Sequence, residues 1–547
     1  MSRGRGLAIM SALMECRCLP FTVVPRTTRL YADYLYDFPR VQKFYAYPPF
    51  EESSLQAAAK TIPRHVAMRS EVAAILREHN ERFGGGPAVI EAVNRLADGS
   101  VMAVVTGQQV GLFSGPAYTI YKAVTAIRLA RELTARGMET VPVFWIADED
   151  HDVAEVNHTY FLDEVFELIR LEHGSPARHL RVGDIAFDSG IGKLTEQAAK
   201  IAGGEVARWL KECYREGETF GSAFGKLMAR LFSDFGVVLL DAMDARLHRL
   251  GLAVFRRTVE ESSELNRALL ARGQELEKAG YHAQVKVREQ TSLLFAMVNG
   301  RRVPLRRKNG NFVLEDGLRL SPREVLDWME RATGDFSPNV LLRPILQDTL
   351  LPTVAYIGGP AEAAYFAQAN TLYERLLKRM PVFFPRASFT LVEPRTERLL
   401  AKYGLSVEDA FRGPQRLERA IASARLPRGL KSSLARAEKK IGEALDTLGG
   451  GLEKLDPTLV GAVSTGRKKV LYQLEKLRHK AARAEASRAE IARRHARMLQ
   501  CALYPHHALQ ERVINFLPFL GRYGKTLLEQ LIEQVTLRGG DHQVIRL

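Results

Sequence analysis

The chain has 547 residues, 46% of them hydrophobic and 26% charged, with a formal net charge of +15. That balance belongs to a globular protein of two or more domains and excludes a largely disordered chain; no apolar run reaches the roughly 18–20 residues a helix needs to cross a bilayer, so a soluble protein is expected. Four cysteines, Cys16, Cys18, Cys213 and Cys501, are too few and too scattered for a disulfide framework, so a reducing cytoplasm is the expected compartment.

At the N-terminus Arg3 and Arg5 precede the apolar run Leu7–Met14, but Glu15, Cys16 and Arg17 follow at once without a small-residue cleavage pattern. Residues 1–18 are therefore expected to be a disordered extension, not a secretion signal. Cys16-x-Cys18 has no second cysteine pair or nearby histidine and predicts no metal site. Over residues 19–392 helical stretches (Leu55–Asn80, Pro87–Leu96, Gly115–Arg136, Leu194–Glu216, Ala245–Ala279) alternate with β-rich runs (Met102–Val105, Val141–Ala147, Val237–Leu240, Val354–Ile357, Val382–Phe384). This alternation implies an α/β core with a parallel sheet covered by helices. Residues 160–235 read as a helical insertion. Residues 280–335 read as a small antiparallel meander, with runs at Gln284–Val287, Leu293–Val298, Val303–Leu305 and Phe312–Leu314 and turn pairs at Asn299-Gly300 and Asn309-Gly310.

Residues 393–500 differ in texture. About 24 Lys and Arg stand against about 13 Asp and Glu there, so most of the excess charge is local. Leu430, Leu434, Ala437, Ile441, Leu445, Leu448, Leu452, Leu455 and Leu459 recur at spacings of three and four, and Val463, Val470, Leu474, Leu477, Ala481, Ala484, Ile491 and Met498 form a second, sparser series. With Gly449-Gly450-Gly451 to end one helix and Asp456-Pro457 to begin the next, an antiparallel coiled-coil hairpin is expected. Its charges, without interleaved aromatics, read as a solvated face or a face docked on another subunit; nucleic acid is not an expected partner. Residues 501–547 are expected to return to the core. Gly521 to Thr526 ends like a phosphate-binding loop but lacks the first glycine, and reads as a helix boundary.

The chemistry concentrates between Val101 and His158. A strand runs into Thr106-Gly107-Gln108-Gln109-Val110-Gly111-Leu112-Phe113-Ser114-Gly115-Pro116, a long helix follows, and a second strand breaks into Asp148-Glu149-Asp150-His151-Asp152. Open α/β sheets place their ligands at such strand ends. Gly107, Gly111 and Gly115 permit close backbone approach, and the helix start offers unpaired N–H groups to an anion. The spacing is not the dinucleotide fingerprint, so no nicotinamide or flavin is implied. Thr106, Gln108, Gln109 and Ser114 suit hydrogen bonding to a substrate, with Tyr118, Tyr121 and Lys122 in the first turns of the helix. The acidic cluster continues through Glu155, Asn157 and His158; His151 between carboxylates suits general acid or base work, with Asp150 or Asp152 orienting it. The His151–His158 spacing matches neither standard zinc motif, so no metal is assigned.

The strings Thr106 to Lys122 and Val143-Phe144-Trp145-Ile146-Ala147-Asp148-Glu149-Asp150-His151-Asp152 closely resemble those of the bacillithiol-biosynthesis cysteine-adding enzymes. Phe336 to Pro344, Gln347-Asp348, Leu351 to Pro360 and Gln510-Glu511-Arg512 extend the resemblance over about Leu19 to Leu547. Asp148 departs from the family pattern, which has a small residue there. The resemblance implies a Rossmann-like core with inserted segments and an α-helical coiled coil used to form a homodimer. It implies a ligase that joins the carboxylate of L-cysteine to the amine of glucosaminyl-malate, with ATP or another nucleotide expected to activate the carboxylate.

On this resemblance, the loop residues Thr106, Gly107, Gln108, Gln109, Gly111, Ser114 and Gly115, with Tyr118, Lys122 and Arg343, are expected to hold the malate carboxylates or a phosphate. Asp150, His151 and Asp152 would position or deprotonate the amine, and Asn157, His158, Gln347, Asp348, Tyr356 and Gly359 would line the pocket. Arg343 and Asp348 have an alternative reading as a structural ion pair. Two rival functions use the same features: a nucleotide-transferring enzyme of the adenylyltransferase or synthetase class, whose His-x-Gly-His signature is missing here, and a nucleic-acid-binding scaffold built on the basic hairpin.

Overall fold

The computed structural model describes residues 15–63, 66–174, 180–424, 428–487 and 490–547. Most of the expected N-terminal extension, residues 1–14, lies outside the described residues. Cys16–Leu19, however, is a short strand, so that part of the extension is ordered: Leu19 is buried and the Gln543 side-chain amide donates to Cys16 Sγ. The chain forms two compact units. The larger comprises residues up to Glu164, Leu168–Thr390 and Glu511–Gln543; the smaller comprises Val165–Glu167, Leu391–Gln510 and Val544–Leu547.

The larger unit is built on a five-stranded parallel sheet of β1 (Met102–Gln109), β2 (Thr140–Ala147), β3 (Val238–Asp241), β4 (Thr353–Gly358) and β5 (Val382–Pro385), in the spatial order β5-β4-β1-β2-β3. Strands β2 and β4 are buried along their whole length, as expected where helices cover both faces and the strand sequence is continuously apolar. Helix α1 (Tyr118–Ala135) follows β1 and α2 (Pro360–Leu372) follows β4. Leu129 and Leu133 of α1 join Val104, Val354, Ile357, Val382 and Phe384 of the sheet in one apolar cluster. The chain moves from β1 to β2 and β3 on one side, then returns to β4 and β5 on the other, so the order reverses between β1 and β4. A crevice opens at the carboxyl ends of strands at such a point.

Several predicted elements are subdivided. Leu55–Asn80 is two helices, Glu52–Lys60 and Val66–Phe83, with Pro63 between them. The 194–216 stretch is Gly190–Ala202 and Gly204–Cys213, broken at Gly203 and Gly204, whose φ values of 69° and 55° leave the helical region. Ala245–Ala279 is three helices. The start of the expected helical insertion is instead an antiparallel hairpin, His158–Leu162 with Leu168–Glu172, since Thr159 and Phe161 alternate inward. In the meander the strands are Thr291–Val298, Arg301–Lys308, Asn311–Val313 and Arg319–Leu320, and Phe336–Pro338 pairs on the outer side of the first. Both turn pairs have positive φ throughout (Asn299 51°, Gly300 73°; Asn309 50°, Gly310 78°), the requirement of tight hairpin turns. Gln284–Val287 is not a strand; the Gln368 side chain satisfies both backbone groups of Val285.

The smaller unit is helical, with α3 (Arg428–Leu455) and α4 (Val460–Ser487) forming the antiparallel hairpin. The glycine triplet does not end the first helix. A Cβ placed on Gly449 would make only an ordinary contact, 3.5 Å from Val463 Cγ1 of α4, and Gly450 and Gly451 face open space. The break falls at Asp456, whose carboxylate accepts from Thr458 N. Arg467 pairs with Asp446 across the hairpin at 2.6 Å. Among the seam residues Leu448, Leu455, Val470, Leu477 and Ile491 are exposed; the side chains of Leu430 and Ala484 lie outside the described residues. The unit runs to Gln510 because that side chain bonds the backbone of Leu391 in both directions. Gly524, at φ 73°, separates helices Leu517–Tyr523 and Thr526–Gln534, the boundary expected in place of a phosphate loop.

The β3 edge of the parallel sheet is closed by side chains of the helix Val66–Phe83, His79 Nδ1 accepting from Asp241 N and Asn80 meeting both backbone groups of Leu239. Asn80, 1% exposed, accepts from Leu239 N at 3.0 Å and donates to Leu239 O at 2.9 Å, replacing the missing neighbour strand of β3. Asn80→Ala leaves two buried backbone groups unpaired and is expected to cost about 2–4 kcal/mol of unfolding free energy, read from the urea midpoint; a loss below about 0.5 kcal/mol would show that the edge is satisfied otherwise.

Candidate active site

The cleft at the carboxyl ends of β1 and β4 has a volume of about 380 Å3 and lies within the larger unit. Gly107, opposite Trp145 in the β1–β2 register, is required by space: a Cβ there would meet Trp145 O at 2.9 Å. The following residues turn inward. Phe113, Ser114 and Gly115 have φ of 52°, 74° and 69° in succession, and a Cβ on Gly111 would come 2.9 Å from Gly115 Cα. Asn515 holds this turn, its Nδ2 donating to Phe113 O, Gly115 O and Thr159 Oγ1, while Ala117 N donates to Ile514 O. Gly111, Ser114 and Gly115 are thus a packed corner that does not line the cleft, and Thr106 spends its hydroxyl on Ile357 O. The expected anion cradle at the glycine turn is filled by the chain itself.

What lines the floor is Gly107, Gln108, Gln109, Tyr118, Lys122, Gly359 and Glu362. Lys122 Nζ directs its three N–H groups at Gly107 O, Gln108 Oε1 and Glu362 Oε2, each at 2.8 Å. Glu362 also accepts from Gly359 N at 2.7 Å and Tyr356 OH at 2.8 Å. Burial alone raises the Glu362 carboxyl, but Lys122 and these donors outweigh it and hold the group below the usual range; burial likewise draws the Lys122 ammonium down, against the pull of Glu362. Lys122 is therefore a strut of the floor and not a free cation.

Strand order then separates charge. On the β4–β5 side stand Arg343, Arg386 and Arg512. Arg386 forms a two-armed ion pair with Glu511 at 2.6 and 2.9 Å and lies over the Tyr118 ring. Arg343 donates to Tyr365 OH at 3.0 Å, and Arg512 is exposed with no hydrogen bond or ion pair among the described residues. On the β2 side stand Glu149, Asp150 and Glu155. Gln109 Nε2 bridges Asp150 Oδ2 at 3.3 Å and Glu155 Oε2 at 2.7 Å. Arg302, from the meander and 5% exposed, reaches the cleft behind them: it donates to Ser337 Oγ, Pro338 O, Asp150 Oδ1 and His151 Nδ1 and covers the Phe295 ring.

The remaining expected site residues fall elsewhere. His151 and Asp152 do not line the cleft: His151 is half-buried against Arg302 and Phe295, and Asp152 is exposed ahead of the short helix Val153–Val156. Asn157 and His158 belong to the hairpin, where Asn157 donates to Glu172 and His173 O and sits 3.3 Å from His158 Nδ1. Gln347 and Asp348 are buried away from the cleft; Asp348 accepts from Gln347 and Tyr373, and no ion pair joins it to Arg343. Tyr356 acts through Glu362. Of the lining residues not anticipated, Arg386 and Glu362 had a usable signal, each falling just past an apolar strand run, and Arg512 sat in a quoted motif; Arg302, one arginine of several in an alternating strand, had none. Asp148 is buried, its carboxyl pushed well up first by burial and then by Asp241 and Glu149. Gly183 and Gly221 make its space: a Cβ on either would approach Asp148 Oδ2 within 2.8 Å. Among the described residues no three His, Cys, Asp or Glu side chains are grouped to hold a metal ion.

Near the ion pair, His542 bonds Ser388 Oγ at 2.7 Å and Thr390 Oγ1 at 2.8 Å. Burial draws its pKa from 6.5 to about 4, opposed by Glu511. The unfolded chain binds this proton first, so the contribution of His542 to stability is complete above pH 6.5 and is lost as pH falls towards 4. His542→Gln is expected to flatten the fall of the urea midpoint across that window; an unchanged slope would remove His542 as its source.

Comparison with known proteins agrees over both units. Residues 14–387 match the family model described as "Bacillithiol biosynthesis BshC, N-terminal Rossmann-like domain", and residues 389–547 match "Bacillithiol biosynthesis BshC, C-terminal coiled-coil domain". Proteins named "Putative cysteine ligase BshC" are similar over nearly their full lengths. The one from Koribacter versatilis is 42% identical over 532 residues, 97% of this chain and 99% of that protein. The one from Solibacter usitatus is 39% identical (97% and 100%), and the one from Bacillus cytotoxicus 29% identical (94% and 97%). These matches support neither the nucleotidyl-transfer reading nor the nucleic-acid scaffold.

Proposed function

Because the chain belongs to the bacillithiol-biosynthesis BshC family, we propose that it is a cysteine ligase joining the carboxylate of L-cysteine to the amine of glucosaminyl-malate. The observation that carries the reading is the polarity of the cleft: Arg343, Arg386 and Arg512 on the β4–β5 side, Glu149, Asp150 and Glu155 on the β2 side. An amino-sugar malate has the matching polarity, a dicarboxylate at one end and an ammonium at the other. Arg512 and Arg343 receive the malate carboxylates through charge-assisted hydrogen bonds; Asp150 and Glu155, aligned by Gln109, receive the ammonium. Arg386, its charge spent on Glu511, backs Tyr118 and leaves the positive side to Arg343 and Arg512.

A free carboxylate does not acylate an amine at neutral pH, so the cysteine carboxyl is activated by phosphoryl or nucleotidyl transfer, with ATP or another nucleotide as the donor. The same reading carries a homodimer joined through the coiled coil, to which the exposed apolar residues of α3 and α4 lend support, and a cytoplasmic location; no described helix is long and apolar enough to cross a membrane.

Purified protein with cysteine, glucosaminyl-malate and ATP is expected to form the thiol amide, detected by mass spectrometry. Product without any nucleotide would overturn the nucleotide requirement; no product with any nucleotide would overturn the ligase reading. Arg512→Ala is expected to raise KM for the malate substrate about tenfold or more, from loss of a charge-assisted bond, with a smaller change in kcat. An unchanged KM would move the dicarboxylate away from Arg512.

A further inference from the structure

Glu149 is not needed by the binding scheme, yet its surroundings are the most unequal of the acidic residues in the cleft. It follows Asp148 at the end of β2, is 5% exposed and lines the cleft. Its two oxygens meet different environments. Oε1 is sealed from solvent without a well-aligned hydrogen bond and lies 3.0 Å from His248 Nε2. The same Nε2 is 3.0 Å from Ala242 O, which can only accept, so Nε2 carries a hydrogen aimed at that carbonyl and Oε1 approaches it off-axis. His248 Nδ1 is buried and has no partner among the described residues. Oε2 of Glu149 has no hydrogen bond among the described residues and is the oxygen left to the cleft.

The charged and titratable groups around it come from every neighbouring element: His248 from helix Ala245–Leu250, Arg302 from the meander, and Asp148 and Asp150 from its own strand end. Burial, then Asp241 and Glu149, push the Asp148 carboxyl well up. Asp150 is already engaged by Arg302, Gln109 and the backbone N–H of His151, which suits a cation seat better than a proton acceptor.

We propose that Glu149 is the catalytic base of the ligation and His248 its positioning residue, an assignment that rests on the amide-forming reading above. The substrate ammonium gives one proton to Oε2, leaving a neutral amine and a neutral Glu149 carboxylic acid. The freed nitrogen pair attacks the activated cysteinyl carbonyl; the C–N bond forms and the C–O bond to the phosphate or nucleotide activating group breaks, that group leaving with the electron pair and taking the nitrogen's second proton on a phosphate oxygen, while Glu149 returns its proton to solvent through the cleft.

The test compares wild type with Glu149→Gln, of equal size but unable to accept the proton. With all substrates saturating, including ATP, kcat is expected to fall about 100-fold or more. Calorimetric affinity for glucosaminyl-malate stays within about threefold, and the acidic limb of the kcat–pH profile disappears. His248→Gln is expected to displace that limb without abolishing it. Absence of product from wild type overturns the ligase reading itself. Product from wild type with Glu149→Gln turning over within about threefold of it overturns the base assignment alone. If circular dichroism shows Glu149→Gln unfolded, Glu149→Asp, which draws the carboxylate back by one methylene, decides: reduced kcat with the acidic limb retained supports the assignment, and unchanged kcat overturns it.

Discussion

The site depends on one buried ion pair, Lys122 with Glu362. Lys122 stands on α1, the helix after β1, and Glu362 on α2, the helix after β4, so the pair joins the two central strands where the chain order reverses. Each partner is fully engaged, Lys122 by Gly107 O and Gln108 Oε1, Glu362 by Gly359 N and Tyr356 OH. Taking either away strands the other in a water-poor place, a loss of about 3–5 kcal/mol for buried pairs. Because the pair cancels its own charge, the floor of the cleft is electrically quiet, and the field in the cleft is set by its sides.

Those sides owe their sign to topology. The end of β5 delivers Arg386, the helix Arg343–Leu350 ahead of β4 delivers Arg343 and the helix Gln510–Val513 delivers Arg512, while the end of β2 and the short helix after it deliver the carboxylates. Had β4 been added beside β3, the same residues would not face one cleft. The carboxylates are graded in depth as well: Glu155 and Asp150 reach solvent and share the Gln109 amide, Glu149 is enclosed beside His248, and Asp148 is buried in space vacated by Gly183 and Gly221. The deepest, Asp148, has its carboxyl pushed well up, because desolvation disfavours charge.

Legibility followed the range of the interaction. The Asn-Gly turns of the meander were readable because a two-residue turn is decided by its own dihedral needs. The inward fold of Phe113 to Gly115 was not, since the Asn515 amide that stabilises it comes from 400 residues away. Glycine spacing alone suggested an anion cradle; the C-terminal segment occupies that position instead. His151 and Asp152 have the residue types of an acid–base site, but the backbone directs them behind and outside the cleft, while Glu149 in the same string faces it. Arg302 left no local trace because a buried arginine in an alternating strand differs from its exposed neighbours only in what it meets.

The sequence by itself determined the alternating α/β core, the antiparallel helical hairpin, the family and the two strings at whose ends the cleft opens, because these follow from periodicity, turn chemistry and motif, all local to the chain. Only the tertiary structure decided that Lys122 is spent on Glu362, that Arg386 and Arg512 join Arg343, and that Glu149 is backed by His248. Each of these is a pairing between segments far apart in sequence, and electrostatic and hydrogen-bond energies depend on distance in space, which residue order does not encode.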